Sequence, residues 1–194
     1  VAAQITHEQV AACVARRPDK YIGFAGIDPN SQRPLASLGV AQGIGLRGAV
    51  MSPAAGDFHP ADTRAMAVYE KCQALGLPVI IHSGHRLSPD ARLEFAQPAI
   101  FDEVARTFPN LRLLLLGFCA AWRDPLLALL DKHEHVFADV SDVVGHSWLL
   151  YQTLVSAHQW NVMSKLLLGT VFPMTAPQQA ITNIYSVQGL TLGT

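Results

Sequence analysis

Six short apolar segments, spaced about 29 residues apart on average, constrain the fold of this chain more than any other feature of its sequence. Most are nearly continuous in apolar residues rather than alternating, which is typical of parallel strands covered on both faces. Helical patterns separate them, and Thr6 with Gln9 forms a capping-box pair before the first. The predicted strands are 22–28, 45–51, 78–83, 111–118, 135–141 and 165–171. The chain is therefore predicted to be an α/β protein.

Strict alternation of strand and helix leaves two architectures, a doubly wound open sheet and a (β/α)₈ TIM barrel. A dinucleotide-binding fingerprint must follow a strand, whereas the nearest glycine pair, Gly43 and Gly45, precedes one. Eight βα units need about 250 residues, so at this spacing 194 residues hold six of them. We predict that residues 1–194 form a single incomplete TIM-barrel domain, with six parallel βα units corresponding to barrel strands 3–8. A flavodoxin-like sheet of five or six units is the alternative.

The amino-acid composition restricts which partners the protein could bind and in which cellular compartment it is expected. The 14 Lys and Arg nearly balance the 15 Asp and Glu, which argues against a basic nucleic-acid surface. No apolar run approaches the ~18 residues of a membrane span. Cys13, Cys72 and Cys119 are odd in number and far apart, which predicts a reduced, cytoplasmic compartment. Six strands would leave two open sheet edges, so we expect a homo-oligomer or a companion chain.

The residues that could carry chemistry are expected at the carboxyl ends of the strands, where parallel α/β folds place their sites. His82 ends the third predicted strand, and His85 follows it in a loop. Asp139 lies near the end of the fifth strand, and Trp122 follows the fourth. We interpret His82 as a metal ligand or as a hydrogen-bonded structural residue, because one imidazole alone does not make a metal site.

Two charged residues on the first two strands have both a functional and a structural interpretation. Arg47, in the second strand, could bind a substrate carboxylate with two hydrogen bonds or pair with Asp28. Asp28 could itself orient a substrate or cap the turn before Pro29. Cys119 is expected to be packing volume, and the other histidines are expected on the surface or as caps. The sequence contains no HExxH, GxSxG or phosphate-loop motif.

Several segments together resemble the amidohydrolase-related proteins often called amidohydrolase family 2, which includes aminocarboxymuconate-semialdehyde and resorcylate decarboxylases and pyrone-dicarboxylate lactonases. The resemblance runs from about Arg16 to Pro173. It rests on RRPDKYIGFAGIDP, GLRGAVMSP, YEKCQALGLPVIIHSG, FDEVARTFPNLRLLLLG and KLLLGTVFP. It implies a metal-dependent barrel, with zinc or another divalent metal, acting on small carboxylated or lactone substrates.

The same resemblance implies that most of the family site is missing. The family's HxH pair belongs to a first strand that this chain does not contain, and the third family histidine falls on His82. The fourth histidine falls at or near Phe118 and the strand-eight aspartate falls on Val171. Neither Phe nor Val can donate a lone pair to a metal or carry a proton.

We therefore predict no catalytic residue, His82 as a remnant metal ligand, a metal not held tightly, and a substrate pocket formed by Arg47, His85, Trp122 and Asp139. Two functions stay open. The chain is either a segment of a metal-dependent hydrolase or carboxy-lyase, impaired alone, or a non-catalytic subunit for small-molecule binding or assembly.

Overall fold

The computed structural model describes residues 5–83 and 89–187. The described strands are β1 (Ala25–Gly26), β2 (Ala49–Met51), β3 (Val79–His82), β4 (Leu113–Leu116), β5 (Val136–Asp139) and β6 (Leu166–Leu167). The described α-helices are α1 (His7–Ala15), α2 (Pro34–Gly43), α3 (Pro53–Gly56), α4 (Thr63–Ala74), α5 (Phe101–Thr107), α6 (Cys119–Lys132), α7 (Ser147–Gln159) and α8 (Pro177–Val187). Short 3₁₀ turns occupy Leu93–Ala96, Pro98–Ile100 and Met163–Lys165.

The six strands form one parallel sheet in which sequence neighbours are also spatial neighbours, in the order β1-β2-β3-β4-β5-β6. A doubly wound sheet reverses its strand order at a switch point, and this sheet does not. An unreversed order is that of successive barrel strands, so the structure confirms the predicted partial barrel of six βα units.

One face of the sheet is packed under the helices and the other is half open. Val79, Ile81, Leu113 and Leu115 are fully buried and belong to the same cluster as the helix residues. The alternate residues of the central strands, such as Ile80, are only partly buried. We call this second face the inner face, because a closed barrel would turn it toward its axis.

Local capping signals set most of the helix ends. Thr6 and Gln9 make both bonds of the predicted capping box at the start of α1. The Asp62 carboxylate accepts from the Ala65 N–H at the start of α4, and Gly76 follows that helix with a φ of 65°. The left-handed conformation at that position favours glycine.

The start of α6 differs from the prediction. Asp124 followed by Pro125 is typical of a helix start and predicts that this helix begins there, but α6 begins at Cys119 and contains Pro125 in its interior. Proline lacks an N–H and its ring clashes with the carbonyl four residues earlier. The helix accommodates it with a kink at Trp122, whose φ of −135° and ψ of 38° are not helical.

Tyr69 on α4 gives a test of core packing. Its side chain is fully buried near Phe108, and its hydroxyl has no hydrogen-bond partner among the described residues. Burial raises the pKa of this phenol, so it stays neutral. Because an unpaired buried hydroxyl costs free energy, we expect Tyr69→Phe to leave the free energy of unfolding unchanged or to raise it by about 1 kcal/mol.

Urea unfolding of Tyr69→Phe measures this difference, with Tyr185→Phe as the control because Tyr185 is 66% exposed. A loss above ~1 kcal/mol in Tyr69→Phe alone would show that the hydroxyl is satisfied, for instance by an ordered water.

Candidate functional site at the carboxyl edge

Polar side chains lie at the carboxyl edge of the sheet, where β2, β3 and β5 end. His82 pairs with Leu116 in the sheet register, and Asp139 pairs with Leu167. The Ser52 hydroxyl donates to the His82 carbonyl oxygen at 3.4 Å, which links the ends of β2 and β3. Because adjacent strands lie ~4.8 Å apart, the Cα atoms of His82 and Asp139 are about 10 Å apart, with β4 between them.

Asp139 is the most deeply buried carboxylate of this edge, with 4% of its surface exposed. Its Oδ1 accepts from the Gly117 N–H at 3.3 Å, and the Cys119 thiol donates to its backbone carbonyl at 3.1 Å. Burial raises the pKa of the Asp139 carboxyl to about 6, and the bonds from Ser141 and Gly117 only partly oppose that rise. Asp139 therefore changes its charge close to neutral pH.

Two glycines make room for this buried polar cluster. Gly117 has a φ of 76°, and a side chain there would place its Cβ 2.9 Å from the Ser83 hydroxyl. Gly169 lies against Asp139, and an added Cβ would come within 2.8 Å of the Asp139 Cγ and 3.0 Å of the Ser141 Cβ. The ends of β3 to β6 are thus fitted to one another around the carboxylate.

The raised pKa of Asp139 predicts a pH-dependent stability. The ordinary pKa is 3.8 and the folded value is about 6, so the folded state binds the proton more tightly. The stabilising contribution is therefore complete below pH ~4 and is lost as the pH rises through ~6. We expect Asp139→Asn to remove this loss and to be more stable than the parent above pH 6, by roughly 1–3 kcal/mol.

Urea unfolding of both proteins between pH 4 and 8 measures the effect. Asp124→Asn is the control, because its carboxylate is 71% exposed and should change the pH profile little. If Asp139→Asn were less stable than the parent at pH 7.5, hydrogen bonds would compensate the burial of the charge.

The family resemblance assigns a histidine to position 118 and an aspartate to position 171. The side chains present there, Phe118 and Val171, have no lone pair for a metal, and their surroundings differ. Phe118 is fully buried, and the centroid of its ring lies 6.1 Å from the ring centroids of both Phe101 and Trp122. Val171 lies beyond the end of β6 and is 37% exposed. The first position thus belongs to the hydrophobic core and the second to the surface.

The other predicted pocket residues are not all brought together. Arg47 is exposed and precedes the first residue of β2, so it lies at the amino edge of the sheet, away from His82 and Asp139. Trp122 is half-buried in the kink of α6, against Phe118. His85 lies outside the described residues.

A metal ion does not fit the donor set that the structure describes at this edge. Across residues 5–83 and 89–187, no group of three or more His, Cys, Asp or Glu side chains could hold one. Two side chains at this edge, those of His82 and Asp139, could bind a metal. His82 is half-buried. The Asp139 carboxylate accepts a hydrogen bond from the Gly117 N–H and lies directly against Gly169.

An open cavity of about 640 Å³ lies at the carboxyl ends of β1 and β2. It is lined in part by the N-terminal end of α1, and its polar lining includes His7, Glu8, Asp28, Ser31 and Ser52. Asp28 also accepts from the Asn30 N–H at 2.9 Å, as expected for a residue that caps its turn. No lysine or arginine lines the cavity in the described part of the chain, so its charge is unfavourable for a polyanionic ligand.

His7, which was expected on the surface or as a cap, lies in the wall of this cavity. The His7 Nε2 donates to the Gly26 carbonyl of β1 at 3.1 Å, a contact between residues 19 positions apart. A local sequence pattern cannot predict this contact, because the contact depends on how α1 packs on the sheet.

Comparison with known proteins finds a family match and similar folds over most of the chain. A family model described as Amidohydrolase matches residues 1–182. No curated protein sequence matches the chain. The similar solved structures include an uncharacterised TIM-barrel protein from Bordetella bronchiseptica, 20% identical, with a TM-score of 0.73; the match covers 95% of this chain and 72% of that one.

Two further structures with the same fold have names that state an activity. A probable 2-pyrone-4,6-dicarboxylic acid hydrolase from Acinetobacter baumannii, with citric acid bound, is 12% identical, with a TM-score of 0.71 and coverage of 95% of this chain and 72% of that one. A dihydroxybenzoic acid decarboxylase from a Polaromonas species, with bound manganese and 2-nitroresorcinol, is 17% identical, with a TM-score of 0.64 and coverage of 92% and 67%. These likenesses show a shared TIM-barrel fold.

No helix of the described residues is both long enough and apolar enough to cross a membrane.

Proposed function

The chain belongs to the amidohydrolase family, whose model matches residues 1–182, and from that membership we propose that it is an impaired relative of metal-dependent hydrolases and decarboxylases. The family resemblance implies chemistry on small carboxylated or lactone substrates. On its own, this chain holds no divalent metal tightly and turns such substrates over little or not at all.

The proposal rests on the residue types at positions 118 and 171, which are Phe118 and Val171. The resemblance places a proton-transferring or metal-binding side chain at each position, and an aromatic ring or an isopropyl group supplies neither a lone pair nor a proton. Phe118 is also built into the core against Phe101. General acid–base catalysis alone contributes ~10²–10⁴-fold to a rate, so the loss of such groups is severe.

The remaining polar residues support binding better than turnover. His82 offers an imidazole at the end of β3, and Asp139 holds a carboxyl group with a pKa of about 6. Asp139 is enclosed by Gly117 and Gly169, so a bound molecule would reach it only if those strand ends separated. In this arrangement Asp139 organises the carboxyl edge.

The second candidate is a non-catalytic small-molecule-binding subunit. The cavity of about 640 Å³ favours it, because that volume suits a small ligand and hydroxyl groups such as those of Ser31 and Ser52 line its wall. Glu8 and Asp28 on the same wall favour a neutral or cationic molecule over a dicarboxylate.

Turnover assays test the main proposal. The chain is supplied with Zn²⁺ or Mn²⁺ and then with 2-pyrone-4,6-dicarboxylate or 2,6-dihydroxybenzoate, which represent the two chemistries named for its structural neighbours. We expect no rate above that of the metal alone. A rate that requires the metal and falls at least ~10²-fold in His82→Ala would contradict the proposal.

A further inference from the structure

A second cavity, of about 320 Å³, lies between the first two turns of α6 and the first half of α7. Residues 119–125 form one wall, and Leu149, Gln152 and Thr153 form the other. The cavity shares no lining residue with the larger one at the ends of β1 and β2. Its volume is at the lower end of the ~300–1,000 Å³ that is typical of ligand pockets, so it suits a molecule with a single ring. We call it the α6–α7 cavity.

The kink in α6 provides a backbone acceptor in the first wall of this cavity. In an unbroken helix, each carbonyl accepts a hydrogen bond from the N–H four residues later. The Ala121 carbonyl cannot do so, because the residue four positions later is Pro125, which has no N–H. Ala121 is exposed and lines the cavity. Its carbonyl can therefore accept a hydrogen bond from a bound molecule.

Thr153 contributes a buried hydroxyl to the opposite wall. The residue is 1% exposed, and its hydroxyl forms no hydrogen bond with any residue in the described ranges 5–83 and 89–187. A buried hydroxyl without a partner costs free energy, and buried polar groups in native proteins nearly always have one. A ligand that presents an acceptor to the Thr153 hydroxyl would remove this cost.

The charges around the cavity favour a neutral ligand. The Arg123 Nε donates to the Asp124 carboxylate at 2.8 Å, so the cation in the wall is already paired. The Asp142 carboxylate lies next to the same wall, where it accepts from the Ala120 N–H at 2.7 Å. One guanidinium with two carboxylates nearby gives no net positive charge, so an anionic ligand gains little attraction.

We infer that the α6–α7 cavity binds a small, neutral, planar ring compound that carries a carbonyl acceptor next to an N–H donor, as in a carboxamide. The carbonyl of such a molecule accepts from the Thr153 hydroxyl, and its N–H donates to the Ala121 carbonyl. A carboxylate of the same shape could accept from Thr153 but has no donor for Ala121. The flat ring packs against the apolar surfaces of Trp122 and Leu149, which also line the cavity. The molecule is bound unchanged.

Titration with benzamide, followed by calorimetry and by tryptophan fluorescence, tests this inference. Benzoate is the comparison probe, because it has the same shape, a negative charge and no N–H. We expect benzamide to bind with a Kd of ~1 mM or below, and benzoate at least ~10-fold more weakly. The fluorescence change should disappear in Trp122→Phe and persist in Trp148→Phe, since Trp148 is 63% exposed and does not line the cavity.

Variants of Thr153 test the role of its hydroxyl. Thr153→Val keeps the shape of the side chain and should weaken benzamide binding by ~5–10-fold, whereas Thr153→Ser keeps the hydroxyl and should stay within ~3-fold of the parent. Thr153→Val should also unfold at the same urea concentration or a higher one, because the lost hydroxyl has no partner in the free protein. Thr182→Val is the matched control: Thr182 is exposed on α8, donates to the Gln178 carbonyl and should not affect binding.

Benzamide that does not bind at ~10 mM would overturn the inference, and so would benzoate that binds equally well. Binding that Thr153→Val leaves unchanged, or a fluorescence change that persists in Trp122→Phe, would place the molecule elsewhere and overturn it too. A Thr153→Val variant that unfolds at a lower urea concentration would show that the hydroxyl already has a partner, such as an ordered water, and would also contradict the inference. None of these outcomes depends on metal binding or turnover.

Discussion

Replacing Gly169 with alanine should lower the free energy of unfolding by about 2–4 kcal/mol. The backbone of Gly169 does not require glycine, because its φ is not in the left-handed region. The cost comes instead from the new methyl group, which would contact the Asp139 carboxylate and approach its Cγ to 2.8 Å. Asp139 cannot move aside freely, since it is buried and bonded to the Gly117 N–H.

A double-mutant cycle separates this clash from a general effect of alanine. In the Asp139→Ala background only the Ser141 Cβ, 3.0 Å away, still crowds the methyl group, so Gly169→Ala should cost about 1 kcal/mol, and the two substitutions should couple by at least ~1.5 kcal/mol. Gly39→Ala on α2 is the control, because nothing lies near its added Cβ and it should be neutral or stabilising. Equal losses in both backgrounds would show that Asp139 does not lie against Gly169.

Replacing Phe118 with histidine should destabilise the chain by about 3–5 kcal/mol and should not create a metal site. This substitution restores the residue type that the family resemblance places there. Phe118 is nevertheless fully buried between Phe101 and Trp122, so the imidazole would lose apolar contacts and bury polar nitrogens.

Urea unfolding at pH 7.5 measures the loss, and Phe118→Leu is the control that keeps an apolar side chain, with an expected cost of about 1–2 kcal/mol. The result has a functional consequence, because it shows whether a lost ligand can be returned by a single substitution. A Phe118→His variant that loses less than ~1 kcal/mol and binds zinc would show that the position still opens onto a metal site.

The fold could be predicted from the sequence because strand and helix signals agree along the chain. The continuous apolar runs around Val79–His82 and Leu113–Leu116 mark strands that are buried on one face and partly buried on the other. Their even spacing predicted successive βα units, and the unreversed strand order confirmed them. Helix α2 was not predicted, although Pro34 stands at its first turn, as is common for helices.

Predictions failed where a local signal competes with packing. Asp124 with Pro125 has the composition of a helix start and lies in the first turn after the kink at Trp122, but a further helical turn that begins at Cys119, a member of the buried cluster, precedes this kink. Arg47 was predicted to lie within the second strand, 45–51, and to contribute to the substrate pocket. The paired strand begins only at Ala49, which puts Arg47 at the opposite end.

The features of the candidate site that matter most are pairwise contacts between distant segments. The sequence around Gly169 and Gly117 does not predict that a side chain at these positions would clash with Asp139 and Ser83. The contact of His7 with Gly26 likewise depends on the packing of α1.

The metal content of the purified chain tests most directly the claim that its carboxyl edge lacks a complete set of donors. The chain is incubated with excess Zn²⁺ or Mn²⁺, desalted and analysed by mass spectrometry for metal per chain, beside His82→Ala. We predict far less than one metal ion per chain and no difference between the two proteins. About one ion per chain, retained through desalting and lost in His82→Ala, would contradict the claim.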